Sequence, residues 1–149
     1  MSRMIHAEAS HVIAAAADKI YDVLIDYPHG HLAILPPQFQ DVVIEQGGHG
    51  AGTAVRGSVK VWGRVVPFHH VVSEPQPGRV LQERDPDSGQ TTRFVLEPLD
   101  QGARTRVTIR SDFPPSAGLL GFMERLTLPP VARGMYRAEL RNLAQRVAG

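Results

Sequence analysis

Histidine is the residue type in this sequence best suited to chemistry near neutral pH, and the 149-residue chain contains seven. An imidazole titrates near neutral pH and can act as a general acid, a general base or a metal ligand. His29 and His31 lie two residues apart, and His69 and His70 are adjacent. Adjacent residues of a strand point to opposite faces, so His69 and His70 cannot bind one ion together. We therefore expect no metal site.

Other reactive or phosphate-binding groups are scarce. The chain has no cysteine, which excludes disulfides, thiolate metal sites and a cysteine nucleophile. Gly48, Gly50 and Gly52 form a glycine-rich stretch, but a dinucleotide-binding loop must follow a strand and open a helix. Both flanks of this stretch have strand patterns, which favours a hairpin loop. We expect no cofactor.

Charge and hydropathy limit the class of partner. The formal net charge of +1 gives no strong reason to expect nucleic-acid binding. The N-terminal residues lack the apolar core of a signal peptide, and no segment approaches the roughly 20 apolar residues of a membrane span. The expectation is a cytoplasmic protein without stable membrane insertion. The oligomeric state stays open.

In the first part of the chain, the spacing of apolar residues changes from that of a strand to that of a helix and back to that of a strand. Residues 4–13 alternate with period two, residues 17–27 repeat apolar positions at helical spacing, and residues 29–37 form a helical turn or loop. Six further strands follow, separated by short turns rich in glycine, proline and aspartate. Their predicted ranges are 39–46, 52–62, 64–74, 79–85, 91–98 and 103–113.

The C-terminal segment returns to helical spacing after Ser116. Pro129 and Pro130 remove two backbone donors, which predicts a break or kink at that point. One hypothesis makes 117–128 a mobile lid over a docked helix at 131–147. The alternative is a static kink that follows the curvature of the sheet.

These elements predict one α+β domain over residues 1–149. Short connections favour antiparallel hairpins, because a parallel pair needs a crossover of a dozen or more residues. The apolar sheet face needs a cover, and the C-terminal helix is the one element long enough to provide it. A helix about 10 Å wide cannot fill the hollow of such a sheet. The remaining volume is occupied by side chains or is a cavity.

Several short motifs are distributed along nearly the whole chain. They are Ile13-Ala14-Ala15 with Leu24-Ile25-Asp26, Gly50-Ala51-Gly52-Thr53, Glu74-Pro75 with Pro77-Gly78-Arg79-Val80, Thr105-Arg106-Val107-Thr108 and Tyr136-Arg137-Ala138-Glu139-Leu140. With them the sequence resembles the START-like or SRPBCC superfamily, and within it the polyketide cyclase/dehydrase and lipid-transport family. The resemblance implies a helix-grip (START/Bet v 1-like) fold, in which a curved antiparallel sheet of about seven strands wraps around a long C-terminal helix.

Strand alternation predicts which side chains face the helix. His70 shares the apolar face of its strand, and His11 that of the first strand, whereas His69, Arg104 and Arg110 face outward. Inward-facing residues at the wide end of the sheet, together with apolar residues of the helix, would line a pocket. The predicted ligand-binding residues are His11, Val55, Val59, Phe68, His70, Phe94, Val107, Ile109, Phe122, Met123, Leu126, Met135 and Tyr136.

The predicted function is to bind or carry a hydrophobic small molecule such as a lipid, a polyketide or an isoprenoid. A polyketide cyclase or dehydratase would use the same cavity, with turnover dependent on His11, His70 or Tyr136. A third alternative is a protein-interaction module without a ligand. No carboxylate partner is evident in the sequence for either histidine, so we favour binding over catalysis and assign no catalytic residue.

Overall fold

The computed structural model describes residues 3–148, which form seven strands and three α-helices. The strands are β1 (Ile5–Ile13), β2 (Phe39–Gln46), β3 (Ala54–Val61), β4 (Arg64–Gln76), β5 (Val80–Arg84), β6 (Thr91–Leu99) and β7 (Arg104–Phe113). The helices are α1 (Ala17–Ile25), the single turn α2 (Leu32–Ile34) and α3 (Gly118–Ala148). Each agrees with its predicted position to within a few residues.

The strands make one antiparallel sheet in the order β1-β7-β6-β5-β4-β3-β2. Short turns join the strands from β2 to β7 in succession, and β1 pairs along its whole length with β7. Helix α3 packs mainly on β1, with lighter contacts to α1 and α2. The α+β helix-grip arrangement is thus confirmed.

The connection from β1 to β2 is compact because three helical pieces follow one another closely. Helix α1 buries Ile20 and Leu24 completely, as its helical spacing predicts. A π-helical turn at Tyr27–His31 follows, and the Asp26 side chain accepts a hydrogen bond from the backbone N–H of His29. This turn buries Tyr27 and His31 in the core.

Strand β2 is an irregular edge of the sheet. Its register with β3 shifts between Gln40 and Val43 and again between Ile44 and Gln46. Asp41 lies at the first shift with a φ of 54°, which an L residue seldom adopts. Such bulges bend the strand and increase its twist.

The predicted break in the C-terminal helix is wrong, because α3 continues from Gly118 to Ala148 through Pro129 and Pro130. The prolines leave the carbonyls of Arg125 and Leu126 without their helical donors, but both residues are exposed and water can hydrogen-bond to them. Two missing bonds on a solvated side do not end a helix that is docked on β1 beyond them. The lid hypothesis stays a prediction.

The two halves of α3 differ in packing. The second half buries Tyr136, Leu140 and Leu143 against the sheet. The first half exposes large apolar side chains, and among the described residues these are Leu119, Leu120, Phe122, Met123 and Leu126. The core therefore lies under the second half of α3.

Glycine at position 30 should be essential for the turn that positions Tyr27 and His31. A Cβ at Gly30 would lie 2.2 Å from the carbonyl oxygen of Val23. We expect Gly30→Ala to lower the free energy of unfolding by about 1–3 kcal/mol, measured by urea denaturation, because the backbone must move to relieve the clash.

Gly134→Ala is the matched control. A Cβ there meets no atom within 4 Å, and replacing a glycine inside a helix should stabilise the protein by about 0.5–1 kcal/mol. Equal effects of the two substitutions would contradict the close approach at Gly30.

Candidate functional site

The structure places six of the predicted ligand-binding residues in the packed core. Each has 9% or less of its surface exposed, so these side chains contact other protein groups. The six are Val55, Phe94, Val107, Ile109, Met135 and Tyr136. Strand alternation thus identified the inner face of the sheet, but at these positions the inner face is filled.

The other predicted residues are only partly covered. Val59, Phe68 and His70 are half-buried, whereas Phe122, Met123 and Leu126 are exposed on the first half of α3. His11 pairs with the inward-facing Val107 but is itself exposed, whereas Ala9 and Ile13 on the same face of β1 are buried. Burial did not follow from its register.

The phase predicted for β4 is correct. The imidazole of His70 faces inward toward Glu83, and that of His69 lies 3.9 Å from the Asp87 carboxylate in the β5–β6 turn. The two side chains are similarly covered, with 15% exposure for His70 and 18% for His69. Exposure alone would not have separated the two faces.

Neither of two solvent-open grooves in the described chain matches the expected enclosed cavity. One groove, of about 330 Å³, is open to solvent between α2 and the start of β2 and is lined by Leu35, Phe39 and Val42 among others. The other, of about 350 Å³, lies beside Ala33 and Asn142. Neither groove is lined by a predicted ligand-binding residue.

A partly open apolar surface lies on the inner face of β2, β3 and β4. Phe39, Val59, Val66 and Phe68 share this face by register, and we call them the apolar wing. The Phe39 and Phe68 rings meet edge to face with centroids 5.7 Å apart. A Cβ at Gly57 would lie 2.9 Å from the Phe68 ring. Glycine at this position therefore lets the Phe68 ring lie on β3.

A buried polar cluster lies beside the apolar wing and is centred on Glu83 of β5. The Tyr27 hydroxyl donates to Glu83 Oε2 over 2.7 Å. His31 Nε2 is 3.3 Å from the same oxygen, and His70 Nδ1 is 3.7 Å from Oε1. His70 joins the cluster to the wing, because its ring centroid is 4.6 Å from that of Phe68.

The hydrogen bonds of His31 fix its tautomer. Nδ1 is 2.8 Å from the carbonyl oxygen of Leu24, and a carbonyl only accepts, so Nδ1 carries a hydrogen. In the neutral ring Nε2 would then present a lone pair to Glu83. The Tyr27 ring stacks on the imidazole at 4.3 Å and fixes its plane.

Glu139 adds a second carboxyl to this interior. It lies on the buried stripe of α3 with 4% of its surface exposed. Burial, followed by the nearby charge of Glu83, raises the pKa of Glu139 well above its ordinary value. Folding therefore favours the protonated form of this carboxyl, which can donate a hydrogen bond.

Hydroxyl groups connect Tyr136 to the sheet. Its hydroxyl hydrogen-bonds to Ser111, and the Ser111 hydroxyl is 2.6 Å from that of Thr92. Burial raises the pKa of Tyr136 in spite of the hydrogen bond from Ser111. Tyr136 is therefore a neutral hydrogen-bonding group in the core.

Sequence reasoning missed the carboxylates of this cluster. The statement that His70 has no partnered carboxylate is wrong, because Glu83 lies 3.7 Å from it. Two patterns carried the information: Glu83 follows Leu81 at strand spacing, and Glu139 follows Tyr136 at helical spacing. Both Leu81 and Tyr136 are buried. The strand and helix periods alone would have predicted that both acidic side chains face the core.

The glycine-rich loop is occupied by a protein carboxylate. Glu74 Oε2 accepts a hydrogen bond from the backbone N–H of Ala51 over 2.8 Å, and Glu74 Oε1 accepts one from the Tyr21 hydroxyl. A carboxylate of the protein already lies where a phosphate would bind, and the loop joins two strands, β2 and β3, as a structural hairpin loop does.

Searches for metal ligands and membrane spans complete the description of residues 3–148. No group of three or more histidine, aspartate or glutamate side chains there is arranged to hold a metal ion. None of the described helices is both long enough and apolar enough to cross a membrane.

Glu139 should make stability depend on pH. An acid whose pKa is raised by folding keeps its proton where the unfolded chain has lost it, so stability falls as pH rises above the ordinary glutamate value of 4.5. Glu139→Gln keeps the neutral shape and removes this loss. We expect nearly equal thermal stability of variant and parent near pH 4.5 and a growing advantage for the variant as pH rises above that value.

Glu8→Gln, at an exposed position of β1, serves as the control and should leave the pH profile nearly unchanged. The groups facing Glu139, which are Glu83, Tyr27 and Tyr136, remain in every variant. A stability difference for Glu139→Gln that stays constant across pH would show that Glu139 is ionised in the fold.

Comparisons with known proteins agree with this architecture. The family model described as polyketide cyclase / dehydrase and lipid transport matches residues 4–148. No curated protein matches the chain by sequence. Among solved structures, the KanY protein (ms6282) superposes with a TM-score of 0.86 at 23% identity, covering 100% of both chains.

Two further structures carry functional names. The ZhuI aromatase/cyclase from Streptomyces sp. R1128 has a TM-score of 0.74 and 25% identity, covering 97% of this chain and 94% of its own. A START superfamily protein from Mycobacterium smegmatis has a TM-score of 0.72 and 19% identity, covering 96% and 97%. With nearly its whole length matched by the family model, the chain belongs to the polyketide cyclase/dehydrase and lipid-transport family.

Proposed function

We propose that this protein binds an apolar small molecule in an open groove between the first half of α3 and the apolar wing. The observation that carries the proposal is that both surfaces leave large apolar side chains uncovered. Phe122 and Leu126 are 59% and 63% exposed on the helix, and Val66 is 52% exposed on the wing. Exposed apolar side chains that cluster in this way commonly mark a binding site.

The packing of α3 supports a groove. The helix rests mainly on β1, at the opposite end of the sheet order from β2. Leu119, Phe122, Met123 and Leu126 have helical spacing, and their stripe is rotated roughly a third of a turn from the stripe that the second half of the helix buries. A ligand on this stripe would add a cover without displacing the core.

The polar cluster gives the groove a polar end. His70 contacts the Phe68 ring on one side and faces Glu83 on the other. Apolar pockets commonly use a few such groups to orient a ligand. A ligand with an apolar body and a hydroxyl or carbonyl group fits this arrangement, and this description includes lipids, polyketides and isoprenoids.

A cyclase or dehydratase is the second candidate function. One observation favours it: a histidine beside a carboxylate is a common general acid–base pair, and His70 has Glu83 at 3.7 Å. The ZhuI structure, named an aromatase/cyclase, shares the fold at 25% identity. Turnover abolished by His70→Gln with apolar-probe binding retained would distinguish this enzyme from a carrier.

Binding in the groove should be sensitive to single polar substitutions on either wall. We expect Val66→Ser and Leu126→Ser each to weaken binding of the fluorescent probe N-phenyl-1-naphthylamine about tenfold, because each removes roughly 1–2 kcal/mol of apolar contact. Probe titration followed by fluorescence enhancement gives the dissociation constants.

Val43→Ser is the matched control, since Val43 is 55% exposed and pairs with Arg56 on the outer face of the sheet. It should leave probe affinity unchanged. Unchanged affinity in the two groove variants, or an equal loss in the control, would sink the proposed location.

Ligand binding should also order the first half of α3. Its amides at 119–128 lie in an exposed segment next to two prolines, so they should exchange with solvent much faster than those at 136–147. Addition of the probe should slow exchange at 119–128 alone. Hydrogen exchange followed by mass spectrometry measures both segments, and equal protection of the two without ligand would leave a static helix and no lid.

A further inference from the structure

The turn between β3 and β4 has an unusual residue at its tip. Val61 pairs with Arg64, so Trp62 and Gly63 form a two-residue hairpin loop. Both have positive φ, 52° for Trp62 and 76° for Gly63. Such turns favour asparagine or glycine at the first position, and a bulky side chain there is strained.

Trp62 gains no packing that offsets this strain. It is 69% exposed, and it is the one tryptophan in the sequence. A strained backbone position occupied by a large exposed side chain is a reason to look for a function.

The surroundings of the tip are positively charged. The sequence from Gln46 to Ser73 has no aspartate or glutamate and contains three basic residues, Arg56, Lys60 and Arg64. Arg56 is paired with Glu45 at 2.7 Å. Lys60 and Arg64 are exposed, and neither forms an ion pair with any residue in the described range.

Each face of the hairpin carries an exposed valine near the tip. Val65 and Val66 are adjacent on β4 and therefore point to opposite sides, and they are 58% and 52% exposed. The flat surface of a protein partner would cover one side of such a projection. A medium that surrounds the tip would cover both, which points to a lipid phase.

We propose that the β3–β4 hairpin docks on an anionic lipid membrane, with Trp62 in the interfacial layer and Lys60 and Arg64 against the headgroups. Tryptophan favours the membrane interface, where its ring is apolar and its N–H remains hydrated. Basic side chains beside it are attracted to anionic lipid. The docking is peripheral and reversible, and it does not depend on the groove proposed above.

Charge complementarity sets the lipid requirement. Two unpaired cations should each contribute about fivefold to membrane affinity, so Lys60→Gln with Arg64→Gln should weaken it about 20- to 30-fold. The same contribution falls with added salt, because the headgroup potential is screened.

The test uses the full chain and vesicles of phosphatidylcholine with or without 30% phosphatidylglycerol. Trp62 is its own reporter: its emission should shift to shorter wavelength with the anionic vesicles and remain unchanged with the neutral ones. The doubly substituted Lys60→Gln, Arg64→Gln protein should need about 20- to 30-fold more lipid for the same shift.

Arg137→Gln with Arg141→Gln is the matched control. It removes two charges from exposed positions of α3 that have no ion pair among the described residues. Its lipid dependence should equal that of the parent. An equal loss in both double variants, or a Trp62 shift produced by an oligonucleotide and not by anionic vesicles, would overturn the proposal.

Trp62→Asn separates docking from folding. Asparagine followed by glycine is the preferred pair for this turn, so thermal stability should be unchanged or higher. Co-sedimentation with anionic vesicles should fall at least tenfold. A variant that is folded and still sediments like the parent would exclude Trp62 from the contact.

Discussion

The width of the sheet relative to one helix is the constraint on which the rest of the molecule depends. Seven strands at a spacing of about 4.8 Å make a sheet about 29 Å across, whereas a helix with its side chains is about 10 Å wide. Curvature brings part of the sheet around the helix, but α3 rests mainly on β1. Something else must cover the inner face of β2, β3 and β4, and α1, the π-helical turn and α2 cover part of it. The apolar wing is the remainder.

The buried carboxyls lie at the boundary between the part of the inner sheet face that the helices cover and the part that they leave open. Glu83 is 8% exposed and Glu139 4%, on two elements that face each other, and the hydroxyl of Tyr27 and the ring of His31 surround Glu83. Such groups stabilise a fold less than a well-packed apolar core of the same volume would. Their position beside His70 and the Phe68 ring gives them a use in orienting a polar group, which an apolar core could not provide.

Much of the architecture followed from period and turn chemistry, because each strand here is bounded by residues that cannot continue it. Gly47-Gly48 and Pro77-Gly78 end two strands within a residue or two of the predicted bounds. The candidate site could be predicted less well from the sequence. Whether an inward-facing residue such as Val59 or Phe94 contacts protein or an open groove depends on where α3 lies across the sheet, and that position is set by long-range packing. His11 shows the same limit, since its register was predictable and its exposure was not.

Pro129 and Pro130 show a second limit of prediction from the sequence. The loss of two backbone donors was evident in the sequence, but the outcome depended on whether the carbonyls that lost them face water. The general rule that proline breaks the interior of a helix predicted a break here. It overstated the effect of the two prolines, because one side of this helix is exposed to water.

The irregular strand β2 has a consequence for the protein at high concentration. An open sheet has two terminal strands whose free backbone groups can pair with another molecule and start edge-to-edge aggregation. In β2 the two register shifts and the left-handed residue Asp41 interrupt the row of donors and acceptors that a foreign strand would need. The same distortion that curves this end of the sheet thus also hinders strand pairing between two molecules of a protein that has exposed apolar surface.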